Sequence, residues 1–407
     1  LYYLENLKEA QLIFECLNEG EIDNKVRFVG GCVRKALCNK EIDDIDLATS
    51  LEPEKVKEKL NKRNIKVIDT GISHGTLTAY ISNLKFEITS LREDVDTDGR
   101  HARVSFTNNW EKDASRRDLT INAIYADIDG KIFDPYNGIS DLDKGIIKFI
   151  GSPEERIKED YLRILRYFRF FIQYSKIECD PTVINLIKKN INGINKISKE
   201  RIFDEVKKIL LLKNIDKLFL NANLKKIILN IFPQFKYYKR LKNIKKLNKN
   251  IRSMYDADLM LATLILDESK EYEYFCYKYK TSNNTKNRLK YISENIVSLK
   301  ENKFNFENNI KKLIYMNSKK QIKDLVLFSI HENSKLDLIK IVKLLSYIDS
   351  CKIPKFPISG EDLINYGYTA GKDLGKKLKS LEEMWIENNF IIDKKEIKKS
   401  LEKIVHN

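Results

Sequence analysis

The sequence predicts an α+β protein in which a small mixed-sheet head precedes an all-α remainder. Up to about residue 137, short runs of β-branched and aromatic residues alternate with short helical patterns and turn formers. After Pro153, apolar residues recur at the helical period with few prolines or glycines until about Asp349. The 407 residues correspond to two to four domains at the usual ~100–200 residues per domain.

Three parts follow from these patterns: a head over 1–137, a helical neck over 138–210, and a helical body and tail over 211–407. The turn formers at 134–138 close the sheet region. A second punctuated stretch, 354–375, contains most of the later glycines and leads into the last helices.

Within the head, each element is predicted from its local pattern. Strands are expected at 26–29, 45–49, 66–68, 77–81, 85–89, 104–107, 121–126 and 132–133. Helices are expected at 7–17, 32–37 and 53–61, the last with Pro53 in its first turn.

Charge is divided unevenly along the chain, whose formal net charge is +15. Residues 1–150 hold 22 basic and 27 acidic side chains, a net of −5, so residues 151–407 hold 52 and 32, a net of +20. Opposite signs favour a cation in the head and a polyanion on the remainder. Lysine-rich coding does not explain the division, because the same bias would make the head basic too.

Several classes of protein are excluded by composition. No apolar run approaches the ~18–20 residues of a membrane span, and the first residues lack the pattern of a signal peptide. The six cysteines are scattered without a Cys-x-x-Cys pair, and the four histidines form no His-x-x-x-His pair. Disulfide frameworks, structural zinc and histidine-based metallohydrolases are therefore disfavoured, and we expect a cytoplasmic protein.

A strand that ends in two glycines carries the strongest local signal. Gly30 and Gly31 open the helix that continues at Cys32, so backbone amides there can approach phosphate oxygens closely. Arg34 offers its fork of donors to the same anion. This arrangement predicts a phosphate-binding turn, although the glycines alone are also compatible with an ordinary turn.

Two aspartates follow, ten residues after the arginine. Asp44 and Asp46 alternate along a predicted strand, so both carboxylates face the same side. Such oxygen ligands suit Mg²⁺, which keeps waters and substrate phosphates besides one or two carboxylates. With the glycine turn, the pair predicts metal-assisted nucleotidyl transfer. The alternative is a solvated strand edge.

With these residues the sequence resembles the tRNA nucleotidyltransferases of the bacterial and eukaryotic class, the CCA-adding enzymes, whose near relatives are the bacterial poly(A) polymerases. The head is similar to the DNA polymerase β nucleotidyltransferase superfamily, in which a glycine turn precedes an Asp-x-Asp metal pair. Further motifs of the family follow in order over about 26–210, at residues 115–123, 134–142, 159–170 and 200–208.

The resemblance implies template-independent addition of CCA to the 3′ end of tRNA from CTP and ATP, with Mg²⁺ as cofactor. It implies that Asp44 and Asp46 are the catalytic, metal-binding residues. The nucleotide-binding residues that it implies are Gly31, Arg34, Arg117, Asp160, Arg163, Arg166 and Arg169. The expected partner is the acceptor arm of tRNA.

Base selection can also be argued physically. At i and i+3 on one helix face, Asp160 accepts from an exocyclic amine while Arg163 donates to a ring nitrogen or carbonyl, which together mimic a Watson–Crick edge. Arg166 orients Arg163 or reaches the triphosphate, and Arg169 lies about half-way round the helix from Asp160. A helix laced with ion pairs is the alternative.

Residues 89–100 are densely charged and contain Gly99. They predict a mobile loop, and the resembling family has a flexible loop here that adjusts the site for the final adenine. The alternative is a solvated hairpin tip. Glu87, on the preceding strand, is a candidate third metal ligand or a surface residue.

One residue departs from the family's pattern: Lys35 stands where an aspartate usually follows the arginine of the first motif. We expect altered positioning rather than lost activity. Arg201, Glu205 and Lys208 fall at helical spacing and are expected to brace the neck.

The basic remainder suits the phosphates of a folded RNA. Candidate patches are 207–208, 225–226, 236–240 and 319–320, several beside aromatics that can stack on bases. Each patch alone is also typical of a solvated helix face. The alternatives for function are a poly(A) polymerase, disfavoured because the chain ends without a long basic extension, a CC-only or A-only enzyme, and a catalytically silent RNA-binding protein.

Overall fold

The computed structural model of the chain describes residues 2–5, 7–71, 75–97, 102–301, 306–332 and 337–391. Contacts divide the chain into two units. The first consists of Leu1–Phe235 with Lys278–Thr281, and the second consists of Lys236–Tyr277 with Ser282–Asn407. The domain boundaries at 137 and 210 both fall inside the first unit and stay predictions.

The head contains helices and strands in alternation. Its helices are α1 (Tyr2–Glu5), α2 (Lys8–Asn18), α3 (Gly31–Leu37), α4 (Pro53–Lys62) and α5 (Trp110–Ser115). Its strands are β1 (Val26–Val29), β2 (Ile45–Thr49), β3 (Lys66–Gly71), β4 (Thr76–Ile81), β5 (Leu84–Ser90), β6 (Arg92–Thr97), β7 (Ala102–Phe106), β8 (Tyr125–Ala126) and β9 (Ile132–Phe133).

Seven of the described strands form one mixed sheet in the order β3-β4-β5-β2-β1-β8-β9. β2 and β5 run parallel, which places Asp46 directly opposite Glu87, and the other neighbours are antiparallel. β6 and β7 form a separate antiparallel hairpin. The predicted mixed-sheet head is confirmed.

Side chains of β2 alternate between the two faces of this sheet, as the two-residue period of a strand requires. Leu47 packs in the larger core, where Phe14 of α2 covers the sheet. Ala48 lies on the opposite face, in a smaller cluster with Tyr125. Asp46 has the parity of Ala48, so its carboxylate projects on the face that the larger core leaves free.

Two predicted elements of the head differ from the structure. The strand expected at 121–126 is wrong in its first half, which forms the 3₁₀ turn Thr120–Asn122 before β8 begins. The reason is local: the backbone amide of Ala123 donates to Thr120, 3.0 Å away, instead of to a neighbouring strand. The charged segment 89–100 contains β6, and residues 98–100 of the predicted mobile loop lie outside the described residues.

The rest of the first unit is helical. Its helices are α6 (Gly138–Lys144), α7 (Pro153–Glu159), α8 (Leu162–Tyr174), α9 (Pro181–Asn190), α10 (Lys199–Leu210), α11 (Lys217–Leu220) and α12 (Ala222–Ile231), with a 3₁₀ turn at Ile191–Lys196.

The single helix expected through 159–170 is wrong at its start, because α7 ends at Glu159 and α8 begins at Leu162. Asp160 between them has an extended backbone, with φ −151° and ψ 105°. Its side chain accepts from the amide of Leu162 at 3.1 Å, the kind of local side-chain bond that competes with helix continuation. Asp160 and Arg163 therefore do not share one helix face.

The second unit is helical throughout the part that the structure describes. It contains a 3₁₀ turn at Tyr238–Arg240 and the helices α13 (Leu241–Lys246), α14 (Lys249–Arg252), α15 (Ala257–Ile265), α16 (Glu271–Lys278, ending at the unit border), α17 (Asn283–Lys300), α18 (Phe306–Met316), α19 (Lys319–Glu332), α20 (Leu338–Ser350), α21 (Gly360–Asn365) and α22 (Lys372–Glu387). None of the described helices is long and apolar enough to cross a membrane. A helical remainder after the sheet is thus also confirmed.

Candidate active site

A cavity of about 800 Å³ in the first unit collects the charged residues singled out from the sequence. Its lining includes Gly31, Arg34, Asp44, Asp46, Arg117, Asp160, Arg163, Arg166 and Arg169. These residues come from the head and from the helices that follow it, so the fold brings together motifs more than 130 positions apart. Glu87 lies outside this lining.

The glycine turn forms one wall of the cavity. Gly30 adopts φ +66°, a left-handed conformation that favours glycine. A Cβ atom on Gly31 would stand 3.6 Å from Oδ2 of Asp46. This is an ordinary van der Waals distance, so the beginning of α3 lies next to a carboxylate of the aspartate pair.

Negative charge around Asp46 outweighs the opposing positive charges of Arg117 and Arg34. Burial, and then the nearby charges of Glu87 and Asp44, raise the pKa of the half-buried Asp46 carboxyl to about 6. Carboxylates that disfavour each other's ionisation are relieved by a bound cation. Two carboxylates beside a cavity lined by arginines therefore fit a divalent ion bound through oxygen.

The structure does not support a third protein ligand for a metal ion at Asp44 and Asp46. Within the described ranges, no group of three or more His, Cys, Asp or Glu side chains is placed to hold a metal. Glu87 lies opposite Asp46 in the sheet, but it pairs with Lys85. The chain thus offers a pair of carboxylates at this position, leaving the remaining coordination of an ion to water and phosphate.

Lys35, the departure from the family's pattern, also lines the cavity. Its ammonium group pairs with the exposed carboxylate of Asp43, which lies directly before Asp44. The same Asp43 oxygen accepts from the amide of Asp44 at 3.0 Å. Lys35 is therefore tied to the loop that carries the aspartate pair, and its charge is compensated by a neighbouring acid.

Arg117 is held by a residue that the sequence analysis missed. Asp113 is fully buried, and its Oδ2 accepts from Nη2 of Arg117 at 3.1 Å and from the hydroxyl of Tyr125 at 2.7 Å. Its Oδ1 accepts from Nη2 of Arg116 at 2.7 Å. An acid four residues before an arginine in a short helix was the available signal, since residues at that spacing are neighbours.

Replacing Asp113 with asparagine is expected to destabilise the protein and weaken nucleotide binding. Removing one partner of a buried ion pair typically costs about 3–5 kcal/mol, and here two guanidinium groups lose their anion. We expect a loss of about 3 kcal/mol in the free energy of unfolding at pH 7, measured by urea denaturation. Unchanged stability would contradict the assigned role of this carboxylate.

The same variant gives a pH test. Although burial alone would raise it, the charges of Arg117 and Arg116 hold the pKa of Asp113 at about 2, below the ~3.9 of an unfolded aspartate. Its stabilisation is therefore complete above about pH 4 and is lost as the pH falls towards 2. The stability difference between the unsubstituted protein and Asp113→Asn should shrink over this interval, whereas a constant difference would exclude the ion pairs as its cause.

A chain of buried polar contacts links the head to α8. Arg34 donates to the side-chain oxygen of Asn122, whose amide donates to Asp118 at 2.7 Å. Asp118 also accepts from Nε of Arg166 at 2.6 Å. Burial opposes ionisation of Asp118, but the charge and hydrogen bond of Arg166 outweigh it and hold the pKa well below its ordinary value. Both arginines are thereby fixed in the cavity wall.

The two residues expected to select the base each have a protein partner. Asp160 accepts from Nη2 of Arg201 at 2.6 Å, and Arg163 donates from Nη1 to Glu159 at 2.6 Å. They are not paired with each other, and both line the cavity. Arg201 on α10 thus braces the segment between α7 and α8, as the sequence analysis predicted for it.

Arg169 also lines the cavity, three residues after Arg166 and on the same side of α8; the expected half-turn from Asp160 does not apply, because Asp160 lies outside this helix. It pairs with the buried Glu205 of α10. Lys208, one turn later on α10, is exposed at the edge of the same cavity. Glu205 therefore braces the neck, whereas Lys208 faces the site.

Gly193 leaves room for Tyr161, the residue after Asp160 in the segment between α7 and α8. A Cβ atom on Gly193 would stand 2.0 Å from a ring carbon of Tyr161. We expect Gly193→Ala to cost about 1–3 kcal/mol, as overpacking typically does. The free energy of unfolding, measured beside that of Gly375→Ala, tests this expectation.

Gly375 is a suitable control because it lies within α22 with open space around its Cβ position. Alanine there is expected to stabilise the helix by roughly 0.5–1 kcal/mol. Equal effects at the two glycines would contradict the close packing of Gly193 on Tyr161.

Two family models match the chain. The Poly A polymerase head domain matches residues 26–148, and a domain described as the probable RNA and SrmB-binding site of polymerase A matches residues 177–239. The first covers the sheet and the glycine turn, and the second covers α9, α10 and the helices after them.

Relatives match over nearly the whole length. The CCA tRNA nucleotidyltransferase 1, mitochondrial, of Homo sapiens is 33% identical over 97% of this chain and 89% of its own length. The CCA-adding enzyme of Ligilactobacillus salivarius is 32% identical over 98% of this chain and 97% of its own. The crystal structure of the Bacillus stearothermophilus CCA-adding enzyme in complex with CTP is 25% identical, with a TM-score of 0.71 over 97% of this chain and 96% of that one.

Proposed function

The chain belongs to the family of CCA-adding tRNA nucleotidyltransferases, and from this premise we propose that it adds CCA to the 3′ end of tRNA from CTP and ATP. The observation that carries the proposal is the single cavity in which the aspartate pair, the glycine turn and the arginines of α8 meet. The reaction is nucleotidyl transfer, with release of pyrophosphate and no nucleic-acid template.

We propose Mg²⁺ as the metal, held by Asp44 and Asp46. Nucleotidyltransferases generally use divalent ions, and two aspartates on one face of a strand suit Mg²⁺, which retains waters and phosphate ligands. When bound, the ion would activate the attacking hydroxyl and neutralise charge on the leaving pyrophosphate. The Gly31 turn and Arg34 approach the triphosphate from the head.

The remaining site residues orient the nucleotide in this proposal. Arg117 donates to the triphosphate from a position fixed by Asp113 and Tyr125. Asp160 and Arg163 present an acceptor and a donor to the edge of the base, and Arg166 and Arg169 line the wall beside them. Because Arg117, Arg166 and Arg169 are held by protein partners before the nucleotide arrives, little reorganisation of these three arginines is needed for positioning.

The tRNA side of the proposal rests on charge. The net of +20 over residues 151–407 suits contact with the phosphates of the acceptor arm. We keep the head at 1–137, the base-selecting neck at 138–210 and the tRNA-binding body and tail at 211–407 as proposed domains. The cytoplasm remains the expected place of action.

An incorporation assay tests the function. Purified full-length protein with Mg²⁺ is given tRNAs that lack all of CCA, the last two nucleotides, or only the final adenosine. CTP and ATP, labelled, are supplied separately and together. The expected result is addition of two cytidines and one adenosine, then a stop. Omission of the divalent ion, or its removal with a chelator, should abolish incorporation.

The main alternative is a poly(A) polymerase, because its head domain matches this one. Unlimited adenosine addition to any RNA primer would favour it over CCA addition. Incorporation that stops after two cytidines, or that accepts only the final adenosine, would identify a CC-only or A-only enzyme. Absence of incorporation on every primer would favour a silent RNA-binding protein.

A further inference from the structure

Three guanidinium groups of the cavity share one aromatic ring, that of Phe170 on α8. The central guanidinium carbons of Arg169, Arg34 and Arg166 lie 4.2, 4.7 and 5.6 Å from the ring centroid. All three distances are within the ~6 Å at which a cation is attracted by the face of an aromatic ring. Phe170 itself is 2% exposed and Arg34 is 6% exposed, whereas the side chain of Arg166 is 32% exposed.

Carboxylate partners are divided unevenly among these three arginines. Arg166 pairs with Asp118 and Arg169 pairs with Glu205. Arg34 is 6% exposed, and its acceptors in the described part of the chain are the neutral oxygens of Gly30, Ile121 and Asn122. A buried cation without a carboxylate partner is costly. The Arg34 guanidinium also lies 5.1 Å from the ring centroid of Tyr174, so two aromatic faces add to the attraction of the nearby Asp46 charge.

The neighbours of Phe170 show the effect of crowding these cations. Burial lowers the pKa of Arg169 below its ordinary value, and the charges of Arg166 and Arg34 act in the same direction. The charge of Glu205 opposes them. Three mutually repelling groups nevertheless line one cavity, next to the aspartate pair. Asp118 and Glu205 anchor Arg166 and Arg169 separately, whereas the ring face of Phe170 is shared by all three cations.

We propose that Phe170 is a positioning residue, whose ring face holds Arg34 of the head and Arg166 and Arg169 of α8 in place for the nucleotide. This inference rests on the proposed function, because it assumes that the cavity binds CTP and ATP. The ring touches the arginines and not Asp160 or Arg163, so it sets the affinity for both nucleotides and not the choice between bases.

The test compares two buried phenylalanines of the same helix, in the full-length protein. Phe170→Leu removes the ring from the arginines. Phe168→Leu removes an equally buried ring that contacts Tyr167 and on which no cation of the described residues is stacked. We expect Phe170→Leu to raise the Kd of both CTP and ATP about tenfold, as loss of desolvated cation–π contacts predicts. Phe168→Leu should stay within about threefold of the unsubstituted protein.

A fluorination series separates the electrostatic role from packing. Phenylalanine analogues with increasing numbers of ring fluorines, placed at 170 by nonsense suppression, weaken the negative ring face while the side-chain shape stays nearly constant. The Kd of CTP, measured by titration calorimetry, should rise steadily with fluorine number at 170 and stay flat at 168, with CTP-over-UTP selection unchanged. A flat series at 170, or equal effects of Phe170→Leu and Phe168→Leu, would overturn the proposal. Nucleotide incorporation by the unsubstituted protein, assayed in parallel, tests the proposed function separately.

Discussion

Asp46→Asn and Asp44→Asn should each lower nucleotide incorporation at least about a thousandfold. The Mg²⁺ that they are proposed to hold would supply several kcal/mol of transition-state stabilisation, and each ~1.36 kcal/mol is a factor of ten in rate. Asparagine keeps the shape of the side chain and removes its charge. Binding of nucleotide through the arginines should persist, so the loss should fall on kcat rather than on the Kd of CTP. Single-turnover incorporation with labelled CTP measures it.

Asp43→Asn is the matched control for this pair. Asp43 belongs to the same acidic run, but its carboxylate is exposed and is occupied by Lys35. Asparagine retains the oxygen that accepts from the amide of Asp44, so we expect less than about a threefold change, as for most exposed substitutions. A loss at Asp43 as large as at Asp46 would mean that the net charge of the loop, rather than ligation, is what matters.

Asp160→Ala should relax base selection. In the proposed base selection, the carboxylate accepts from the exocyclic amine that cytosine and adenine possess and uracil lacks, so its loss would remove the penalty against UTP. A good pair of hydrogen bonds to a base edge is worth about 1–3 kcal/mol of discrimination. We therefore expect the CTP-over-UTP ratio of kcat/KM to fall by about 10- to 100-fold, in incorporation assays with each nucleotide alone.

Arg163→Ala should lower incorporation of both CTP and ATP, since the donor to the ring nitrogen is lost for both bases. Lys158→Ala is the control in the same region, because Lys158 is exposed and pairs with Glu154 on the surface of α7. An unchanged CTP-over-UTP ratio in Asp160→Ala would remove this residue from base selection and leave it as the bracing partner of Arg201.

Patterns that depend on short-range geometry could be predicted from the sequence. Asp44 and Asp46 fall on one face because successive side chains of a strand alternate between its two faces. The turn follows from Gly30, because glycine readily adopts the positive φ found there. The alternation places Asp46 on the face of Ala48 and away from the larger core. These features required no knowledge of which distant segments come together.

Other features depend on tertiary partners that spacing does not reveal. Helical periodicity runs through residues 159–170, yet Asp160 interrupts it, because its side chain accepts from the amide of Leu162 and meets Arg201 more than 40 positions away. The role of Asp113 depends on Tyr125 and two arginines that converge only in the folded head. The sequence predicts Phe170 to be an ordinary buried core residue, and only the folded structure places three arginines beside its ring.

Asp160 pairs with Arg201 and Arg163 pairs with Glu159, so the proposed base selection would make nucleotide binding an exchange of partners. A base gains only the difference between the bonds it offers and the internal bonds it displaces. Cytosine and adenine offer an amine and a ring acceptor together, so their hydrogen bonds can replace both ion pairs. A base that matches only Asp160 or only Arg163 would leave the other ion pair intact. The ion pairs of the free protein would therefore disfavour a mismatched base, because such a base gains less from binding than the protein loses when an ion pair is broken.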